Sequence, residues 1–267
     1  MRAGRLAAVA LRQFYLIRGS ASRVLPMFAW VAVDMVLWGF ITRYLNSVAN
    51  AGFDFVTAML GAVLLWDFFM RVMQGVTMAF LEDVWSRNFL NFFATPLRIS
   101  EYIGGLVLTS VATSSVGLIV MLALARLVFG LSFFAYGPVI IPYLLILFVF
   151  GIALGILGAA LVLRFGPASE WFIWPMPAIV APFAGVFYPV SILPRWMRAV
   201  SRLLPPAYVF DALRSAAAGR HAEPGRLGTG ASLCVLDLLL AFWVFSATYR
   251  YAVKTGLIAR YSAESVS

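Results

Sequence analysis

The chain has 267 residues, of which 63% are hydrophobic and 12% charged, with a formal net charge of +9. Soluble domains run at about 45–50% apolar and about 25% charged, so the composition excludes a soluble globular protein and leaves no room for a sizeable soluble domain. A lone cysteine, Cys234, and a lone histidine, His221, exclude a disulfide framework and a His/Cys metal cluster.

Residues 1–23 begin with a helix over 5–18 that sets Leu6, Val9, Ala10, Phe14 and Ile17 on one face and Arg5 and Arg12 on its flank, the pattern of a helix lying on a membrane surface. Residues 1–22 lack the unbroken apolar core and small-residue cleavage site of a secretory signal, so this segment is expected to stay in the mature chain. Residues 24–187 hold five apolar stretches, each near the roughly 20 residues a crossing helix needs. They fall at about Val24–Ile41, Phe55–Phe80, Ile103–Phe129, Pro138–Leu163 and Trp171–Phe187. In the fifth, Pro175, Pro177 and Pro182 each remove a backbone donor, so kinks are expected. Residues 188–230 are too polar to span; a sixth crossing covers 231–253, and 254–267 form a short tail. The whole reads as a single all-α integral membrane domain over 1–267, with six transmembrane helices.

An even number of crossings puts both ends on one side, and the basic residues choose it. With the ends inside, Arg2, Arg5, Arg12, Arg18, Arg23, Arg87, Arg98, Arg164, Arg250, Lys254 and Arg260 are cytoplasmic, while the outer side holds Arg43, Arg126 and the arginines of 188–230. Scattered over loops and span ends, these charges read as topology and headgroup signals and not as a nucleic-acid surface.

Two constellations stand out. Residues 82–95 open with Glu82 and Asp83, carry Trp85, Arg87, Phe89 and Phe92, and stop at Thr95-Pro96, which disfavours further helix. The plain reading is an interfacial loop helix; the functional one is a contact for a cytoplasmic partner, with charges able to make charge-assisted bonds. In Gly185–Ala217, Pro194 starts a helix whose apolar face is Trp196, Val200, Leu203 and Leu204 and whose basic face is Arg195, Arg198 and Arg202. Pro205-Pro206 breaks it, and a second short helix carries Asp211 and Arg214 one turn apart. Such a pair after a proline-kinked span suggests a re-entrant element that closes a pathway from outside; the alternative is a loop resting on headgroups.

The sequences FLNFFATPLRISEYIGG and FYPVSILPRWMRAVSRLLPPAYVFDALR resemble the permease subunits of the ABC type-2 exporter family. Residue by residue the likeness lies at Thr95-Pro96, Pro194 and Trp196, and Asp211 and Arg214; elsewhere it is one of pattern. The resemblance implies that 82–95 is the coupling helix seated in a groove of an ATPase subunit, with Glu82, Asp83, Trp85, Arg87, Phe89, Phe92, Thr95 and Pro96 at the contact. It also implies an extracellular gate at 194–218, built on Pro194, Trp196, Val200, Leu203, Pro205 and Pro206. Two permease copies, expected as a homodimer with two ATPase subunits, would enclose the substrate route in a bacterial inner membrane. The chain itself has no phosphate-cradling Gly-x4-Gly-Lys-Ser/Thr loop, since Lys254-Thr255 follows Val253, with Thr248 where the first glycine should stand. ATP and magnesium are therefore expected on a separate ATPase polypeptide, and the permease is expected to bind no cofactor and perform no chemistry.

Ionisable groups within spans cost a few kcal/mol or more on insertion scales, so Asp34, Asp67 and Arg71 each need a partner or water. Asp67 and Arg71, four residues apart, are placed to neutralise each other, and Glu82 lies near the same face. Asp34 has no such neighbour and is expected to face the bundle interior, lining the route or pairing across spans. Asp237 is placed near the outer interface, in the region of Arg126. Gly151, Gly155 and Gly158 give the fourth span a small-residue face for close helix packing.

Three functions compete. An ATP-driven exporter uses conformational coupling alone. An ion-coupled secondary carrier would titrate Asp34 or Asp67, and calls for further spans or an inverted repeat that the sequence does not show. A membrane enzyme needs clustered His or carboxylates, where this chain offers His221 and the pair Glu82-Asp83. For the exporter, a small amphipathic compound, lipid or lipo-oligosaccharide is the preferred cargo, with Thr109, Ser110, Thr113, Ser114 and Ser115 as polar groups facing a route or, more ordinarily, bonding their own helix.

Overall fold

Apolar runs bounded by proline and glycine become long helices, and a computed structural model describes them over residues 3–48, 56–86, 92, 95–131, 136–138, 140–220 and 224–257. Every regular element among the described residues is helical. In chain order they are α1 (Ala3–Arg18), α2 (Ala21–Val48), a π-turn Val56–Leu60 leading into α3 (Gly61–Trp85), α4 (Ile99–Phe129), α5 (Ile140–Phe165), the short α6 (Glu170–Ile173) and α7 (Pro175–Ala184), α8 (Arg195–Ser201), α9 (Pro205–Ala217) and α10 (Pro224–Lys254).

Among the described residues, Ala58–Trp85, Ile99–Phe129, Ile140–Phe165 and Gly225–Lys254 are long and apolar enough to cross a membrane. The 28 residues of α2 also have the length, about 42 Å at the helical rise. The expected fifth crossing is not one helix. Pro175 opens α7, Pro182 lies inside it, and Gly185 ends it in the left-handed region at φ 61°, leaving two pieces of 4 and 10 residues. The longer reaches about 15 Å, half the hydrocarbon thickness of roughly 30 Å. Two boundaries also move. α3 runs on through Trp85, so the polar segment expected over 82–95 starts inside a helix, and α10 begins at Pro224 instead of Ala231.

α3 and α5 form the centre, with 67% of the apolar window of each buried inside the chain against 28% for α4 and 22% for α10. α3 lies between α4 and α5, and α10 covers the far side of α5. The small-residue face makes this approach possible. A Cβ on Gly155 would sit 2.8 Å from the Met73 carbonyl oxygen, and one on Gly158 would sit 2.6 Å from Thr77 Oγ1. Thr77 uses the closeness, donating 3.0 Å to the Gly155 carbonyl of the neighbouring helix. From α4, Ser110 donates 2.9 Å to the Val72 carbonyl beside Gly75. Because the Met73 contact is backbone, Gly155→Ala is expected to lower stability by about 1–3 kcal/mol through overpacking. A lower thermal midpoint of the full chain in detergent checks this, with Gly228→Ala, which meets open space, as the neutral comparison.

Candidate functional site

Among the described residues, three polar sites interrupt the apolar bundle, at the α1 end, at the middle and at the α9 end. α3 links the ends. Its Trp66 ring lies 6.2 Å from Phe210 of α9, and its Asp83 meets α1; seventeen residues of helix separate them by about 25 Å.

At the α1 end the Asp83 carboxylate is 2% exposed and is surrounded by donors. Arg12 reaches both oxygens, at 3.1 and 2.7 Å, and the Tyr102 hydroxyl donates at 2.7 Å. The Gln13 amide is 3.5 Å away. A buried charge is tolerated when it is paired and its lone pairs are filled, and this one is. Two turns earlier on α1, Arg5 lies 3.4 Å from Glu101. Glu101 also accepts from the Arg98 backbone N–H at 3.1 Å, closing the N-terminal turn of α4. α1 therefore binds the last turn of α3 through Arg12 and the first turn of α4 through Arg5, bracing both ends of the connection between them. Val9, between the two arginines, rests on Gly105, where a Cβ would fall 2.5 Å from it.

This arrangement corrects one expectation. Asp83 faces inward, so it is absent from the exposed surface where a partner would dock. α1 keeps most of its expected face covered, with Val9 buried and Leu6, Ala10 and Ile17 half-buried, while Phe14 points outward with Leu11 and Tyr15, at 53%, 53% and 60% exposure. In a bilayer the apolar stripe can face lipid while the polar side turns to the protein for its partners.

The other residues expected at a partner contact divide. Trp85 is 51% exposed. Glu82 is half-buried, and Thr95 and Pro96 are exposed. The Phe92 ring lies 4.8 Å beneath the Arg12 guanidinium and 5.1 Å from the Tyr102 ring, while its carbonyl accepts from the Thr95 hydroxyl at 2.6 Å. Arg87 and Phe89 lie outside the described residues. A groove of about 260 Å³ runs between α1 and this segment, floored by Val9 and Phe92 and rimmed by Arg5, Arg12, Thr95 and Pro96.

In the middle, Asp67 on α3 is within Coulombic reach of Arg71 one turn on and of Asp34 on α2. Asp34 thus has a charged neighbour that sequence spacing did not reveal. One Asp67 carboxylate oxygen is buried without a hydrogen-bond partner. Arg71 lies along α4, where a Cβ on Gly117 would meet its Cδ at 2.7 Å. Asp237 and Arg126 form no ion pair among the described residues.

At the α9 end, Pro205 and Pro206 are buried at the start of α9, which also buries Val209, Phe210 and Leu213 and packs on α5, α7 and α10. α9 is therefore inserted among the long helices. Its anchor is Arg214, which donates to the Gly185 carbonyl at 2.6 Å at the end of α7. Burial pushes this guanidinium down to about 10, still cationic at neutral pH. Pro194 is the exposed residue before α8, and the expected apolar face of α8 points outward, with Trp196 64%, Val200 38% and Leu203 65% exposed.

Arg5, Gln13, Glu101 and Tyr102 were not singled out for a site from the sequence, and Arg12 was taken only as a flank of α1. The available signal was the seven-residue spacing of Arg5 and Arg12, which sets them two turns apart on one face of α1. Among comparisons with known proteins, a family model described as ABC-2 type transporter matches residues 8–217. No curated protein matches the chain.

Proposed function

The chain belongs to the ABC-2 type transporter family, whose members are membrane subunits without chemistry of their own, and from that premise we propose that it is the permease of an ATP-driven exporter. Two copies enclose the route, each engaged by an ATPase subunit that carries ATP and magnesium. Both termini lie on the cytoplasmic side of a bacterial inner membrane, and the chain crosses six times, with α6 and α7 making the broken fifth passage. Trp85, Thr95 and Pro96 face the ATPase subunit, and Arg87 and Phe89, which lie outside the described residues, belong to the same contact in this proposal. The α8–α9 hairpin is the outer gate, and the cargo is an amphipathic small molecule, lipid or lipo-oligosaccharide.

The observation that carries the reading is the double brace of α1. Arg12 on Asp83 and Arg5 on Glu101 tie both ends of the α3–α4 connection to one rigid helix, so a push there moves α1, α3 and α4 together. α3 is half of the central pair, and its other end meets α9. Alternating access needs such a body with two discrete positions. The ion-coupled alternative gains no support from family membership.

Purification of the full chain in mild detergent tests the proposal. A nucleotide-hydrolysing subunit is expected to accompany it, and lipids or amphiphilic drugs are expected to stimulate hydrolysis; vesicles containing this chain alone that move cargo uphill would overturn it. The gate has its own check. Val200→Pro, in the last turn of α8, removes a backbone donor at a cost of about 3 kcal/mol. It is expected to change the export rate while leaving assembly with the ATPase subunit intact, and an unaltered rate sinks the gate assignment.

A further inference from the structure

At the α9 end, a cleft of about 410 Å³ opens between α8, α9 and the first turn of α10. Its charged lining is Arg198 and Arg202 from α8, Asp211 from α9 and Arg226 from α10, and the turn Val190–Ile192 on the remaining side brings Ser191 and no charge. Three guanidinium groups thus face one carboxylate. That carboxylate is already engaged, bonded to Arg226 and 3.9 Å from Arg214. Arg198 gives one nitrogen to the Ser191 and Leu193 carbonyls at 2.6 and 3.0 Å, and its Nε is buried without a partner. The Arg202 guanidinium has no partner among the described residues. The walls are held in place beforehand: the Tyr208 hydroxyl donates 2.8 Å to the Arg202 carbonyl across the α8–α9 turn, and the Ser201 hydroxyl donates to the Phe183 carbonyl of α7.

We propose that this cleft is a binding site for a phosphate oxyanion. Planar guanidinium forks in a pre-formed concave site are suited to bidentate contact with pairs of oxygens of a tetrahedral phosphate, and the volume falls in the usual range for small-ligand sites, about 300–1,000 Å³. Ile192 and Leu203, next in sequence to Ser191 and Arg202, are 66% and 65% exposed. They offer apolar contact to whatever carries the phosphate, which favours an amphiphile with a phosphate headgroup over the free ion. The proposal deepens the gate reading and rests on it for the side of the membrane the cleft faces. An anion seated between α8 and α10 would hold the hairpin against the last span.

The test uses the full chain alone in a neutral detergent, without the ATPase subunit, so that a failed exporter assignment and a failed anion site give different results. Dihexanoyl phosphatidylglycerol, inorganic phosphate and dihexanoyl phosphatidylcholine are titrated separately, with the heat of binding as the readout. Saturable binding of phosphatidylglycerol is expected, with affinity reduced about tenfold in Arg202→Gln, as for loss of one charge-assisted contact. Arg195→Gln, on α8 but outside the cleft, is expected to bind as the parent does. Asp211→Asn removes the competing carboxylate and is expected to bind more tightly, a change that damage to the fold would not produce. Arg202-dependent binding of phosphatidylglycerol without inorganic phosphate assigns the site to headgroups, and binding of both assigns it to the oxyanion itself; either supports the site. Saturation by neither probe, or equal affinities in the parent, Arg202→Gln and Asp211→Asn, overturns it.

Discussion

Asp83→Ala is expected to release α1 from the bundle and to uncouple ATP hydrolysis from transport. The carboxylate is 2% exposed and accepts from Arg12 and Tyr102 at 2.7 Å each. Removing one member of a buried ion pair costs about 3–5 kcal/mol, because the other is left without compensation. Here the stranded groups are the Arg12 guanidinium and the Tyr102 hydroxyl, and Arg12 also loses the position that sets it over the Phe92 ring. The thermal midpoint of the detergent-solubilised chain should fall by several degrees, and a cysteine pair bridging α1 and the end of α3 should lose its crosslink. Reversing the pair, Arg12→Asp with Asp83→Arg, restores opposite charges but not the tyrosine bond, so part of the loss should return. A midpoint within a degree of the parent for Asp83→Ala would mean that the pair carries no load, and the bracing role of α1 would go with it.

The long helices were legible because hydropathy over some twenty residues is a strong signal, and α4 and α5 begin and end within a few residues of the expected places. The glycine face of α5 was also readable, since spacing alone puts Gly151, Gly155 and Gly158 together and the bilayer rewards close backbones. The burial of Gln13 on α1 was not legible, because periodicity shows which residues share a face and not whether that face meets lipid or protein. Asp83 sits in a run with Glu82 and Arg87 and so looks solvated; what buries it is Arg12, 71 positions away, and a contact that distant leaves no local trace. The same limit applied to Asp34, whose charged neighbour is on another helix. The broken fifth passage was half legible. Its prolines announced kinks, yet the sequence did not show that α7 would stop at Gly185 or that Arg214 would fasten α9 to that end.

Trp85→Asp is expected to cut association with the ATPase subunit by about 30-fold or more, the usual scale for truncating a tryptophan hot spot at an interface, while leaving the fold within about 0.5 kcal/mol, as exposed substitutions do. The residue is suited to this split. It closes α3 immediately after buried Asp83 and Val84, yet is itself 51% exposed, so it projects from the braced end without being part of the brace. Phe92→Asp should behave differently. Its ring lies against Arg12 and Tyr102, and a carboxylate there competes with Asp83 for the same guanidinium, so association and thermal stability should fall together. A competing role for Trp85 is anchorage at the lipid headgroups, where tryptophan is enriched. That role predicts the reverse pattern for Trp85→Asp, with weakened membrane insertion and normal co-purification of the ATPase subunit. Measuring extraction, thermal midpoint and co-purification on the same two variants separates the readings, because only a partner-facing Trp85 loses the subunit while the bundle stays intact.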